Sequence, residues 1–269
     1  MSGIVHSRPD PGTEAVAPEG HRWAGRQVGR ILIVEHVPHF GPGRIESILW
    51  EHRLNPSRVL PYEGTPFPAD ISDLDGLILL GGPEAGDDSQ WPLALTQEMT
   101  LIGRVLDRQI PILGISLGCQ LLAATLGARI TASRYWEIGW HETCLRAAAS
   151  DDPLFKGEAD RFMSFHWPTD IFDLPRGAMS LASSDLVEHQ AFRWGQATYG
   201  VRFHLEITAP QILTLIHAFF PKSPELEDEA EPMAAGIGLH LPALRGLGDR
   251  VVGRWLDGVL ARRKAQWQA

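Results

Sequence analysis

Ile110-Pro111-Ile112-Leu113-Gly114-Ile115-Ser116-Leu117-Gly118-Cys119-Gln120 decides how this chain is read. Residues 110–115 form a continuous apolar run of strand length, as expected for a strand buried on both faces. Residues 119–126 are again apolar but suit a helix, and Gly127 supplies its stop. Between the two lies Gly114-x-Ser116-x-Gly118. A sharp strand-to-helix turn crowds its own backbone and needs small residues on both sides of the apex. The apex side chain is then lifted above the carboxyl end of the sheet. The helix N-terminus behind it offers unpaired N–H groups and the positive end of a dipole. Ser116 is therefore the candidate nucleophile, and this context carries more weight than the five letters alone.

The same pattern extends outward. Ile31–Val34 and Gly76–Leu80 are short apolar runs, and Arg58–Leu60 is a weaker one. Helical spacing of apolar residues covers Ile45–His52 and Leu93–Asp107. Strands alternating with helices imply right-handed crossovers and an α/β fold with a mostly parallel sheet flanked by helices. Beyond residue 137 the pattern changes. Segments 137–146, 161–166, 179–192 and 196–203 read as shorter strands, which points to an antiparallel extension. Ile207–Phe219 returns to helix. Residues 222–231 are acidic and contain proline, as expected for a solvated loop, and Leu241–Gln268 reads as a terminal helix. Residues 1–29 lack apolar periodicity and read as a poorly ordered lead-in.

A nucleophile needs a base. Gly200-Val201-Arg202-Phe203-His204-Leu205-Glu206 reads as a strand ending at a histidine, with a carboxylate two residues on. Glu206 would hold one ring nitrogen of His204, leaving the other to accept a proton from position 116. Alone, a histidine at a strand end is more often structural; with the elbow it becomes the candidate base. Cys119 shares a helix face with position 116 but points along the first turn, so packing is the expected role.

Composition sets the outer limits. The chain has 269 residues, 44% of them hydrophobic and 21% charged, enough for one large domain. A net charge of −9 disfavours nucleic acid as a partner. No apolar run approaches the roughly 20 residues of a membrane span, and no secretory signal is read at the N-terminus. The two cysteines, Cys119 and Cys144, form neither a disulfide framework nor a metal-ligand spacing. A cytoplasmic protein without metal or organic cofactor is expected. Trp91, Trp136, Trp140 and Trp167 fall near predicted loops, where they could wall a cleft, although ordinary packing is the commoner fate of large aromatics. His36, Pro38 and His39 follow the first strand and could also line it. The pairs Asp87/Asp88 and Asp151/Asp152 read as solvated turns, because no oxygen-ligand loop surrounds them.

Together these segments resemble the class I glutamine amidotransferase family, of the flavodoxin-like type. Gly114-Ile115-Ser116-Leu117-Gly118-Cys119-Gln120 is similar to the family elbow, except that the family has cysteine where this chain has Ser116. Gly200–Glu206 is similar to the family's histidine strand, and Gly81-Gly82-Pro83 to its oxyanion loop. Glu137-Ile138-Gly139-Trp140, and Phe165-His166-Trp167 followed by Asp170 and Phe172–Pro175, resemble stand-alone relatives of GMP synthase. The resemblance covers about residues 30–220, with 221–269 as an acidic loop and a helix packing on the same domain.

The resemblance implies hydrolysis of a γ-glutamyl amide, with Ser116, His204 and Glu206 as nucleophile, base and orienting acid. The amides of Gly82 and Leu117 would form the oxyanion hole. Gln120, Gly81, His166 and Trp167 would bind the small-molecule substrate. A separate synthase is the implied partner if the chain supplies ammonia. Serine is the departure. A hydroxyl is far less acidic than a thiol and cannot rest as an anion near neutrality, so turnover should suffer while the pocket persists. Three explanations stay open at this level: a serine introduced to trap substrate, a natural one in an inactive γ-glutamyl-binding or regulatory protein, or a natural one in a working serine hydrolase.

Overall fold

The structure, a computed structural model, describes residues 29–83, 92–132, 137–167, 170–220 and 227–268. The lead-in expected before residue 29 lies outside the described residues, as do Trp91, Trp136, Asp87 and Asp88.

Five strands build the parallel half of a nine-stranded sheet: β1 (Ile31–Val34), β2 (Ser57–Val59), β3 (Gly76–Leu79), β4 (Ile112–Ile115) and β11 (Thr198–Val201). Their order is β2-β1-β3-β4-β11, and each neighbouring pair is parallel. If β11 is counted as the fifth strand, this is the 2-1-3-4-5 order of flavodoxin-like sheets. From β11 the sheet continues antiparallel through β10 (Ala191–Trp194), β9 (Ala178–Ser183), β6 (Gly139–Leu145) and β7 (Arg161–His166). A small separate ribbon pairs β5 (Ile130–Thr131) with β8 (Ile171–Phe172).

The apolar runs are continuous because both faces of the sheet are covered. In β1, Ile31 and Ile33 join one buried cluster while Leu32 and Val34 join the other. Helices α2 (Leu93–Asp107) and α3 (Leu117–Thr125) pack on the second face. The first face takes α1 (Arg44–Glu51), α4 (Ala209–Phe219) and α5 (Glu227–Gln268).

Helix α5 corrects one expectation. Residues 227–231 form its first turns rather than a solvated loop, so the helix begins well before Leu241. Pro232 and Pro242 lie inside it and break its local pattern. Burial overrides that penalty: Met233, Leu244, Leu247, Val251, Trp255 and Val259 are all buried against the first face. Acidic residues in the opening turn also suit the positive end of the helix dipole. No helix among the described residues is long and apolar enough to cross a membrane.

Candidate functional site

Ser116 follows β4 directly and caps α3, with φ 53° and ψ −113°. A positive φ with such a ψ is costly for a residue with a side chain, and it marks a strained turn. The strain is held from three sides. Ser116 N–H donates to Val201 O of β11 at 2.8 Å. Gly118 N–H donates to Leu80 O at 3.1 Å, at the end of β3. The first turn of α3 already bonds back to Ser116 O, from Cys119 N at 3.0 Å and Gln120 N at 3.2 Å. The flanking glycines are obligatory by distance. A Cβ at Gly114 would lie 2.6 Å from Gly118 O, and one at Gly118 would lie 2.4 Å from Leu79 O.

Strand β11 pairs with β4, so its continuation brings His204 to the same edge. His204 is fully buried, and its Nδ1 lies 2.7 Å from Glu206 Oε1. Its Nε2 has no hydrogen-bond partner among the described residues. The ring is fixed on its faces: Phe40 stacks on it at 5.0 Å and 18°, and Phe165 meets it edge-on at 6.2 Å. Trp167 packs edge-on against Phe40 at 6.0 Å and against Phe219 at 5.1 Å, extending an aromatic wall from the imidazole.

Gly81 and Gly82 close the third side. A Cβ at Gly81 would lie 2.9 Å from His204 Cε1, and one at Gly82 would lie 2.6 Å from Leu117 Cδ2. The loop after β3, the start of α3 and the base candidate are thus in contact. Gln120 is buried one turn into α3, where its Nε2 donates to Asp170 O at 2.9 Å and its Oε1 has no partner among the described residues.

His166, read from the sequence as a pocket residue, points inward. Its Nε2 lies 2.8 Å from Ser164 Oγ, and it packs against Phe203. Burial, with the nearby Arg202 charge, pushes it well below the usual histidine range, so it is neutral although Glu137 Oε2 is 3.8 Å away. Trp140 packs on α5, where its Nε1 donates to Met233 O at 3.0 Å. Cys119 is buried against Gly200 and burial pushes its thiol far up, which suits packing and not attack. Asp152 corrects another expectation: it is buried, not solvated, and pairs with Arg193 at 3.1 Å.

Several partners escaped the sequence reading. Phe40 left no signal, since nothing local announces a ring that stacks on residue 204. Glu137 was singled out only as part of a motif; the structure gives it partners, since it accepts from Arg202 Nη1 and Gln190 Nε2, both at 2.7 Å, and so anchors the strand that carries His204. Glu98 did leave a signal: it occupies the apolar stripe of α2 with Leu101, Ile102 and Val105, and it is fully buried.

An elbow serine, a buried histidine–carboxylate pair and a glycine loop on a 2-1-3-4-5 sheet give the chain a candidate site of the nucleophile-elbow type. The class I glutamine amidotransferase model matches residues 52–220, and the chain belongs to that family. YfeJ of Salmonella typhimurium, named for its likeness to glutamine amidotransferases, is 28% identical over 158 residues, spanning 58% of this chain and 66% of that protein. A glutamine-hydrolysing GMP synthase component from Halobacterium salinarum is 34% identical over 148 residues, 54% of this chain and 73% of that protein. A glutamine amidotransferase from Thermotoga maritima superposes with a TM-score of 0.76 at 26% identity, covering 87% of this chain and 99% of its own. One from Methylobacillus flagellatus gives 0.75 at 26% identity, covering 87% and 96%.

Proposed function

We propose that this chain binds a γ-glutamyl amide at the Ser116 elbow and hydrolyses it slowly, through Ser116, His204 and Glu206. The observation that carries the reading is the buried His204–Glu206 pair at 2.7 Å, with Nε2 unengaged among the described residues, on the continuation of the strand that pairs with β4, whose next residue is Ser116 at φ 53°. In this reading Glu206 fixes the tautomer that leaves the Nε2 lone pair available. His204 takes the hydroxyl proton as Ser116 Oγ attacks the γ-carbonyl carbon. The oxygen that gains charge faces the Gly82 and Leu117 amides, backed by the α3 N-terminus. His204 then passes its proton to the leaving nitrogen, and water releases glutamate from the acyl ester. Gln120 Oε1, buried without a partner among the described residues, is an acceptor for the substrate's glutamyl end, and the Trp167–Phe40 wall bounds the amine side.

Serine makes the first step the slow one. No thiolate is stored, so the proton must leave as the bond forms. Restoring a thiol in a site built for it should raise turnover by roughly 100-fold or more, within the range attributed to proper proton transfer. The test is release of p-nitroaniline from γ-glutamyl-p-nitroanilide, and of ammonia from glutamine, by the unmodified chain and by Ser116→Cys. Turnover in Ser116→Cys supports the reading. No turnover and no γ-glutamyl binding in either protein refutes it.

The relatives' names favour a second reading, a glutaminase serving a separate synthase. It predicts that Ser116→Cys turns over glutamine only when the synthase is added. A cytoplasmic location, where glutamine is available, suits both readings.

A further inference from the structure

Gly81 lies between two buried imidazoles. On one side is His204, the candidate base. On the other is His36, just past β1, whose Nδ1 lies 3.2 Å from Gly81 O and whose Nε2 lies 2.8 Å from Glu98 Oε2 on α2. Both partners are acceptors. A carbonyl oxygen accepts only, so the contact at Nδ1 requires a proton on Nδ1. Glu98 accepts from Nε2 in the same way, so both nitrogens carry protons, and the carboxylate is the counter-charge that keeps the ring an imidazolium.

We propose that His36, held by Glu98, is a positioning residue for the oxyanion site: its Nδ1–H fixes the Gly81 carbonyl, and so turns the Gly82 N–H toward the substrate oxygen. The inference rests on the hydrolase reading of Ser116, His204 and Glu206. Its physical basis is the peptide plane. In a trans peptide the C=O of Gly81 and the N–H of Gly82 point in opposite directions. Anchoring one aims the other. A Gly-Gly peptide is the least self-restrained pair the chain offers, so it needs an external clamp to keep one orientation. The loop also cannot slide sideways, because a Cβ at Gly82 would meet His36 Cβ at 2.7 Å and Leu117 Cδ2 at 2.6 Å.

The cost of the clamp argues that it has a use. Glu98 is fully buried in an apolar stripe, and a buried ion pair is commonly no better for stability than well-packed apolar residues. Around His36, α2 contributes the Glu98 carboxylate and the loop after β3 contributes the carbonyls of Leu80 and Gly81. The start of α3 contributes apolar Leu117. Glu35, its chain neighbour, faces Tyr62 and Arg58 instead. Burial opposes charge on His36, but the Glu98 charge and hydrogen bond, with the two carbonyls, outweigh it and hold the imidazole above its ordinary range.

The test has two readouts. Nitrogen-15 NMR of the histidine rings in the unmodified chain should show His36 Nδ1 protonated throughout the range from about pH 6 to 8, where a free histidine loses its proton. An unprotonated Nδ1 in that range overturns the proposal, with no variant needed. In Glu98→Gln the amide oxygen can accept from Nε2–H, which frees Nδ1 to lose its proton. The Gly82 amide resonance should then move. In the Ser116→Cys background, Glu98→Gln should lower kcat for γ-glutamyl-p-nitroanilide by about tenfold or more and leave KM within about twofold, since oxyanion donors act in the transition state. An unmoved Gly82 amide, or kcat and KM that both stay at the parent values, overturns it. Absence of turnover in Ser116→Cys itself counts against the hydrolase reading, while the NMR readouts still decide this one.

Discussion

Two histidine–glutamate pairs flank the glycine loop, and they look alike until the second ring nitrogen is followed. His204–Glu206 spans 2.7 Å and His36–Glu98 spans 2.8 Å, and both are buried. His204 Nε2 has no partner among the described residues, whereas His36 Nδ1 is engaged by Gly81 O. An imidazole with one nitrogen held and one open can exchange a proton with a substrate. An imidazole held at both nitrogens can only orient something. A buried histidine–carboxylate pair is therefore not by itself a signature of a base; an open nitrogen is needed as well. His166 is a third case: buried, bonded to Ser164 and neutral, it has no carboxylate at hydrogen-bond distance among the described residues and neither base nor clamp geometry.

The sharpest way to break this comparison is to remove each ring in turn in the Ser116→Cys background. His204→Ala should cost about 10²–10⁴-fold in kcat/KM, the range for a positioned general base. His36→Asn should cost far less, so equal losses would erase the distinction. Gly82→Ala should follow in size. Its Cβ would collide with Leu117 and His36, displacing the loop, and the loss of one oxyanion donor is about 10²–10³-fold in kcat. Unchanged circular dichroism would show that the fold survives; unchanged kcat would remove Gly82 from the site.

The smallest effect is on stability and separates His166 from His36. His166 has a depressed folded value, so below its ordinary 6.5 the unfolded chain takes up a proton that the native chain refuses. Its contribution is lost as pH falls below that value, by up to about 1.4 kcal/mol per pH unit. His36 is raised, so its contribution is complete below the unfolded value and is lost only as pH rises through the folded one. Thermal unfolding of His166→Asn should therefore be less sensitive to acid than that of the parent. An identical pH dependence would count against a neutral buried His166.

Much of this was legible in the residues. The runs at 31–34, 76–80 and 110–115 announced strands covered on both faces, because burial on both sides removes the polar alternation. Two glycines around Ser116 announced the elbow, because only small residues survive that turn. The spacing of His204 and Glu206 announced their bond, since both sit on one short segment. Each of these depends on neighbours within a few residues, and local sequence encodes such geometry directly.

What tertiary structure alone decided involves partners distant in the chain. His36 meets Glu98 across 62 residues, and Glu137 meets Arg202 across 65. Phe40 stacks on His204, and Glu227–Gln268 is helical through two prolines because its apolar side is buried on the sheet. No local period records which distant side chain the fold will bring up against a given ring. That is set by strand order and layer packing, so a candidate base could be picked out from the chain, but which side chains would meet in the clamp and in the aromatic wall around it could not.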